Sequence, residues 1–130
     1  MARLTIDELL AEARSGLTRL SPLDANEAMG SGAALIDIRA ESQIASDGGV
    51  DGAIVIARNV LEWRLDPASD HRLPDAPGLH QQVIVMCNEG YQSSLVAATL
   101  QRLGFSAATD LDGGFQAWRA VGLPVREPGA

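Results

Sequence analysis

The sequence predicts an α/β domain in which a mainly parallel central sheet is flanked by helices. Two observations support this fold class: short apolar runs alternate with helix-like segments, and clusters of Gly, Pro and Asp separate them. Unbroken apolar runs are typical of parallel strands, because such strands are buried on both faces. The chain has 130 residues, of which 46% are hydrophobic, so it is long and apolar enough to bury one core.

Two helices are predicted before the first strand. Thr5 and Glu8 have the spacing of a capping box, and apolar residues follow at helical intervals, so we expect a helix over residues 5–16. Ser21 stands directly before a proline, which is typical of an N-cap followed by the first helical position. This pattern predicts a short second helix over residues 22–29.

The middle of the chain is predicted to alternate strands with short helices and then to enter a long loop. Apolar runs indicate the strands, and a segment rich in Pro, Asp and Ser indicates the loop. In order, the predicted elements are a strand over 33–38, a helix over 41–45, a strand over 53–56, a helix over 60–65 and a loop over 66–78.

The last third of the chain is predicted to add two strands and two helices. These are a strand over 83–86, a helix over 95–103, a strand over 108–111 and a helix over 115–121. Ser93 and Ser94 are expected to cap the first of these helices, and Gly104 to end it. The two tryptophans, Trp63 and Trp118, are expected to be packing residues.

Composition and charge exclude several classes of protein. The formal net charge is −7 and the ten basic residues are scattered arginines, which argues against nucleic-acid binding. No apolar run approaches the roughly 20 residues that cross a membrane, so no membrane association is expected. The first residues lack the apolar centre of a signal peptide, so we expect a cytoplasmic protein. With one cysteine and two histidines, no disulfide, metal site or cofactor is expected.

The one cysteine, Cys87, is the candidate nucleophile. It directly follows a buried strand, and the chain then passes through a short loop into a helix. In sheets of this kind, ligands bind at the carboxyl ends of the strands. Unpaired N–H groups at a helix start, together with the helix dipole, stabilise a thiolate there. Gly90 favours such a loop, because glycine adopts conformations that let several N–H groups converge.

A purely structural cysteine is the alternative interpretation, since free cysteine is often a buried hydrophobe. No histidine is placed to act as a base for Cys87. His71 falls in the predicted loop and His80 just before the strand, and both are expected at the surface. Acyl transfer of the papain kind is therefore disfavoured, and activation of the thiol would have to come from backbone dipoles.

Four motifs occur in order along the chain. They are Asp37-Ile38-Arg39, Gly52-Ala53 before a strand, the loop from Cys87 to Ser93, and Leu111-Asp112-Gly113-Gly114-Phe115-Gln116-Ala117-Trp118 followed by Gly122-Leu123-Pro124-Val125. With these motifs, residues 22–126 resemble the rhodanese family of sulfurtransferases in its single-domain form. The resemblance implies a rhodanese-like three-layer fold over residues 21–130, preceded by a helical extension over residues 1–20.

The resemblance also implies a chemistry. The Cys87 thiolate would take a sulfane sulfur from a small donor such as thiosulfate or a persulfide, and would pass it to cyanide, a cellular thiol or a protein thiol. Backbone N–H groups of the loop would hold the resulting persulfide. The candidate residues of this binding loop are Asn88, Glu89, Gly90, Tyr91, Gln92 and Ser93.

Three residues outside the loop are candidate supporting residues. Asp37 is expected to bind backbone near the loop or to pair with an arginine, and Arg39 is expected to be an ion-pair partner. Arg58 follows a strand closely enough to contact an anionic donor. Many active family members carry Arg, Lys or Thr in this loop, whereas here Glu89 stands near its front and Gln92 at its last position. A carboxylate there repels an anionic donor, so we expect weak use of thiosulfate and a preference for a neutral or protein-bound persulfide.

Two other functions stay open on the sequence alone. A non-catalytic module of the same fold would bind or regulate a partner, although inactive members usually lose the cysteine. A phosphatase or arsenate reductase of this fold would have a longer loop that carries an arginine. Here the loop from Cys87 through Gln92 has six residues, and no arginine follows before Arg102.

Overall fold

The computed structural model describes residues 2–128, so the outermost residues of the predicted segments 1–20 and 21–130 lie outside the described part. Its helices are α1 (Ile6–Ser15), α2 (Pro22–Gly30), α3 (Glu41–Asp47), α4 (Leu61–Leu65), α5 (Gln92–Arg102) and α6 (Gly114–Ala120). Its strands are β1 (Ala34–Asp37), β2 (Ile54–Val55), β3 (Val83–Met86) and β4 (Ala108–Asp110). Over the described residues, no helix has both the length and the apolar character to span a lipid bilayer.

The four strands form one parallel sheet in the order β2-β1-β3-β4. In the central pairing, Leu35 of β1 lies opposite Ile84 of β3. All four residues of β3 are buried, which suits a strand that has a neighbour on each side. Because the strands are parallel, their carboxyl ends meet at one edge of the sheet, and Asp37, Cys87 and Asp110 lie there.

The side chains of β3 alternate between two cores, one on each face of the sheet. The first core contains Val83 and Val85 with Leu61 and Leu65 of α4 and Val96, Ala97 and Leu100 of α5. The second contains Ile84 and Met86 with Ala25 of α2 and Phe115 and Trp118 of α6. Helices therefore cover both faces of a parallel sheet, which confirms the predicted three-layer α/β fold.

Helix α1 packs against α5 and begins as predicted. The Thr5 side chain accepts a hydrogen bond from the Glu8 N–H, and the Glu8 carboxylate accepts one from the Thr5 N–H, so the capping box is complete. After the helix, Leu17 packs against the first core. These contacts hold the N-terminal segment against the sheet domain.

Local structure around the second strand differs from the prediction. Strand β2 has two residues rather than the predicted four of 53–56, and Val60 lies in a short 3-10 helix, Arg58–Val60, instead of opening α4. Trp118 is 1% exposed, as predicted for a packing residue, but Trp63 is 58% exposed. Helix α4 buries residues at its two ends, four positions apart, so Trp63 at its centre falls on the opposite face.

Candidate active site

Cys87 lies at the carboxyl end of the central strand, at the floor of an open pocket. It is 7% exposed, and the pocket has a volume of about 400 Å³. Its walls come from the loop after β1, with Ile38 and Arg39, and from the cysteine loop, with Glu89 and Tyr91. A reagent entering from solvent therefore meets a single sulfur between two loops.

Two backbone N–H groups donate to the sulfur. The Gly90 N–H lies 3.1 Å from Cys87 Sγ, and the Ser93 N–H, in the first turn of α5, lies 3.4 Å from it. Gly90 has φ of +88°, which a residue with a side chain rarely adopts, so the predicted need for glycine is confirmed. The loop thus surrounds the sulfur with dipoles that favour negative charge.

The N-terminus of α6 holds the loop from behind. The Phe115 N–H donates to the Cys87 carbonyl at 2.9 Å, and the Gln116 N–H donates to the Asn88 carbonyl at 3.1 Å. A Cβ atom added at Gly114 would lie 2.5 Å from the Cys87 carbonyl oxygen, so only glycine permits this close approach. The Gly-Gly-Phe-Gln motif is therefore a support for the cysteine loop.

Asp37 and Arg39, each expected to have a structural role, form an ion pair with each other, and both are buried. The closest distance is 2.8 Å, from Arg39 Nη2 to Asp37 Oδ2. The same guanidinium donates to the Gly48 carbonyl and stacks over the Phe115 ring, 3.9 Å from its centroid. Arg39 therefore joins the loop after β1 to α6 while it lines the cysteine pocket.

The remaining predicted residues lie in the cysteine pocket or in the pocket beside it. Arg58 lines an adjoining pocket, and its guanidinium is paired with Glu62 at 3.0 Å. Tyr91 and Gln92 are exposed at the rim, and Glu89 is exposed on the pocket wall. The structure thus gathers the loop residues around Cys87 and places Arg58 one pocket away.

The prediction that Ser93 and Ser94 cap the following helix is wrong. Helix α5 begins one residue before them, and no side chain caps it. Their hydroxyls donate instead to the Asp110 carboxylate, at 2.7 Å and 2.8 Å. Asp110 is 0% exposed, and a buried carboxylate requires hydrogen-bond donors. Both serine hydroxyls therefore donate to Asp110 and do not accept from the N–H groups at the start of α5.

Arg19 completes the shell around Asp110. Its Nε lies 2.9 Å from one carboxylate oxygen of Asp110, and it also pairs with Asp112 at 3.1 Å. Burial lowers the pKa of the Arg19 guanidinium, but the hydrogen bond and charge of Asp110 outweigh burial, so this pKa lies above its ordinary value. The charge of Asp112, and a negative charge on Cys87 when it is present, contribute in the same direction. A cation is therefore held near the sulfur.

Arg14, Arg19 and Asp110 are site residues that sequence reasoning missed. Arg14 donates to the Gly90 carbonyl at 2.7 Å, across 76 positions of the chain. No local pattern signals such a contact. Of the three residues, only Asp110 had a usable signal, because it lies at the carboxyl end of a strand. His71 and His80 are exposed, as predicted.

Known proteins resemble this chain over most of its length. A family model described as the rhodanese-like domain matches residues 21–121. A thiosulfate sulfurtransferase GlpE of Ectopseudomonas mendocina is 37% identical over 107 residues, which cover 82% of this chain and 89% of that protein. The GlpE of Stutzerimonas stutzeri is 36% identical, over 78% of this chain and 84% of its own.

Solved structures extend the likeness to the whole fold. A Rhodopseudomonas palustris protein of unknown function, described as a possible tyrosine phosphatase, has a TM-score of 0.87 at 31% identity, and the match covers 97% of each chain. The polysulfide-sulfur transferase homodimer of Wolinella succinogenes has a TM-score of 0.70 at 25% identity, over 90% of this chain and 83% of that one. With the family match and the cysteine loop together, the chain belongs to the rhodanese-like domain family.

Proposed function

We propose that this protein is a sulfurtransferase that carries a sulfane sulfur as a persulfide on Cys87. The observation that supports it most is the pair of N–H donors, from Gly90 at 3.1 Å and from Ser93 at 3.4 Å, that meet one sulfur at the floor of an open pocket. Preorganised backbone donors stabilise a sulfur anion without a titrating base. The GlpE relatives, named thiosulfate sulfurtransferases, support the same class of reaction.

The reaction has two displacement steps. The Cys87 thiolate attacks the outer sulfur of the donor, a new S–S bond forms, and the old one breaks with its electron pair on the leaving group, which is sulfite when the donor is thiosulfate. An acceptor thiolate or cyanide then attacks the outer sulfur of the persulfide, and Cys87 leaves as a thiolate. No proton need be removed by a side chain in either step, because the attacking thiolate and cyanide are already anions.

Three guanidinium groups lie near the cysteine pocket, each of them already paired with a carboxylate. Arg39 lines the cysteine pocket and Arg58 lines the adjoining one. Arg19 lies close enough to Cys87 for a negative charge on that sulfur to raise the pKa of the Arg19 guanidinium. The net charge of −7 works against long-range steering of anions. We therefore expect these arginines to act after the donor has entered, and the donor to bind weakly.

The acceptor comes from outside the molecule. The chain has one cysteine, so a persulfide on Cys87 has no second thiol to resolve it. The pocket opens to solvent beside the exposed side chains of Tyr91 and Gln92. This opening fits cyanide, a small cellular thiol or a thiol presented by a partner protein.

Intact-mass spectrometry tests the proposal directly. The protein is mixed separately with thiosulfate, an inorganic polysulfide and a low-molecular-weight persulfide, and then treated with cyanide. We expect a gain of one sulfur on Cys87 with at least one donor, its loss on adding cyanide, and no gain in Cys87→Ser. A thiol that stays unmodified with all three donors would leave a non-catalytic module as the better description.

The phosphatase alternative is tested with an aryl phosphate. The Rhodopseudomonas palustris structure carries that suggestion in its description, and here the loop from Cys87 to Gln92 has no guanidinium to bind phosphoryl oxygens. We expect no turnover of p-nitrophenyl phosphate under conditions in which sulfur transfer proceeds. Cys87-dependent phosphate release would reverse this assignment.

A further inference from the structure

Two arginines that precede the matched family region hold the back of the cysteine loop. Arg14, in the last turn of α1, donates from Nη2 to the Gly90 carbonyl at 2.7 Å. Arg19 donates from its own Nη2 to the same carbonyl at 2.8 Å. Both lie before residue 21, where the match to the rhodanese-like domain begins. Two cations on one backbone carbonyl repel each other, so the arrangement persists only because other groups hold each arginine.

Each arginine has such an anchor. Arg14 also donates from Nε to the Ser94 hydroxyl at 3.0 Å, and its guanidinium lies 5.7 Å from the centroid of the Tyr91 ring. Arg19 is fixed by the buried carboxylate of Asp110. The Ser94 hydroxyl donates to the same carboxylate, so the two anchors belong to one connected network.

Holding the Gly90 carbonyl restrains the residue whose N–H donates to the sulfur. Glycine has more backbone conformations available than any other residue, and this one, with φ of +88°, provides the shorter of the two N–H contacts to Cys87 Sγ. The peptide bond that follows is planar and trans, so a carbonyl directed at the arginines turns the Tyr91 N–H the opposite way. The Gly90 carbonyl thus sets the direction of the Tyr91 N–H directly. It restrains the Gly90 N–H, which donates to the sulfur, only through the Gly90 Cα at which the two peptide units meet.

We propose that Arg14 and Arg19 are positioning residues that hold Gly90 so that its N–H stays directed at the sulfur. The N-terminal segment is then part of the working site, because it supplies both cations. The effect on reaction rate rests on the proposed sulfur transfer, whereas the effect on the geometry of the loop does not. Arg14 is the residue to test, because removing Arg19 would also leave the buried Asp110 carboxylate without its positively charged partner.

The test compares Arg14→Ala, Arg14→Lys and, as a matched loss of one positive charge, Arg3→Ala, which changes an exposed arginine on the same segment. Amide hydrogen exchange in the thiol form is measured by NMR. We expect the Gly90 amide to exchange about tenfold faster in Arg14→Ala, while Val85 in the core strand keeps its rate. Arg14→Lys restores one of the two contacts, so we expect an intermediate rate, and Arg3→Ala matches the parent.

The same proteins are then given the donor that works best with the parent chain. We expect the rate of persulfide formation at saturating donor to fall about fivefold to twentyfold in Arg14→Ala, as for one lost charge-assisted hydrogen bond, and to recover partly in Arg14→Lys. The half-saturating donor concentration should change less than this rate, because Arg14 does not line the pocket.

Three results would overturn the positioning role: unchanged exchange at Gly90, equal acceleration at Gly90 and Val85, or a persulfide rate equal to that of the parent. If the parent accepts sulfur from no donor, the proposed function fails while the exchange experiment still decides the role of Arg14. If Arg14→Ala does not fold, Arg14→Lys alone decides, because it retains the charge and loses the paired geometry.

Discussion

Glu89 places an exposed carboxylate on the wall of the cysteine pocket. We expect Glu89→Gln to lower the half-saturating concentration of thiosulfate about twofold to fivefold, because an exposed charge contributes at most about 1 kcal/mol. Raising the salt concentration should shrink the difference. Steady-state kinetics measure it, with Glu12→Gln on α1 as the control for net charge. Identical values for Glu89→Gln and the parent at low salt would show that the carboxylate does not oppose the donor.

Asp110 is the residue on which the network behind the loop depends. We expect Asp110→Ala to lower the free energy of unfolding by about 2–4 kcal/mol, because it removes the acceptor of two buried hydroxyls and the buried carboxylate partner of Arg19. Urea unfolding measures the loss. Asp112→Ala is the control: Asp112 pairs with the same arginine but is 66% exposed, so we expect less than about 1 kcal/mol. Equal losses in the two variants would contradict the dependence on burial.

At the scale of elements, the meeting of α6 with the cysteine loop is the tightest backbone contact of the site. We expect Gly114→Ala to lower the free energy of unfolding by at least about 2 kcal/mol, since the new Cβ would displace the Cys87 and Asn88 carbonyls. The same displacement should slow persulfide formation. Gly122→Ala separates this clash from backbone strain. Gly122 has φ of +83°, but a Cβ added there would meet nothing within 4 Å. We therefore expect Gly122→Ala to lower the free energy of unfolding by about 1 kcal/mol. If the two variants lost the same free energy of unfolding, the cysteine loop would have moved to accept the new Cβ without a measurable clash.

The start of helix α1 should be sensitive to acid. The backbone hydrogen bond from Thr5 lowers the pKa of Glu8 below its ordinary value of 4.5, and the Thr5 side chain acts in the same direction. A lowered folded-state pKa gives stability that is present above pH 4.5 and is lost as the pH falls through the folded value. We expect amide exchange in the first turn, corrected for its intrinsic pH dependence, to quicken below that pH. In Glu8→Gln, the corrected rate should be flat with pH.

At the scale of the whole molecule, the two tryptophans report on one packed core and one open surface. We expect Trp118→Ala to lower the free energy of unfolding by about 3–5 kcal/mol, because it empties a site in the core between α6 and the sheet. Trp63→Ala should cost less than about 0.5 kcal/mol. Urea unfolding of both variants checks this. A large loss at Trp63 would show that α4 buries the opposite face.

The sequence was sufficient for those parts of the fold and site that depend on neighbouring residues. The capping box of Thr5 and Glu8, the strand before Cys87 and the positive φ of Gly90 all follow from local patterns. The serines after the loop show the limit, because serine suits a helix cap, and a distant carboxylate changed its role. Trp63 was misplaced because a five-residue helix is too short to show a periodicity.

The contacts behind the loop had no local signal at all. Arg14 and Ser94 are 80 positions apart, and Arg19 and Asp110 are 91 apart. Nothing in the spacing of such residues predicts which arginine will meet which acid. Only the parallel sheet, which brings distant strand ends to one edge, makes them neighbours.

This separation has a consequence for how the protein matures. The loop around the sulfur is braced by residues near the start of the chain and by α6 near its end. During synthesis the nucleophile leaves the ribosome before β4 and α6 are complete, so its surroundings are assembled last. Reactivity of that thiol would therefore report completed folding. A truncated or half-folded chain would contain Cys87 without the contacts that hold the loop around its sulfur.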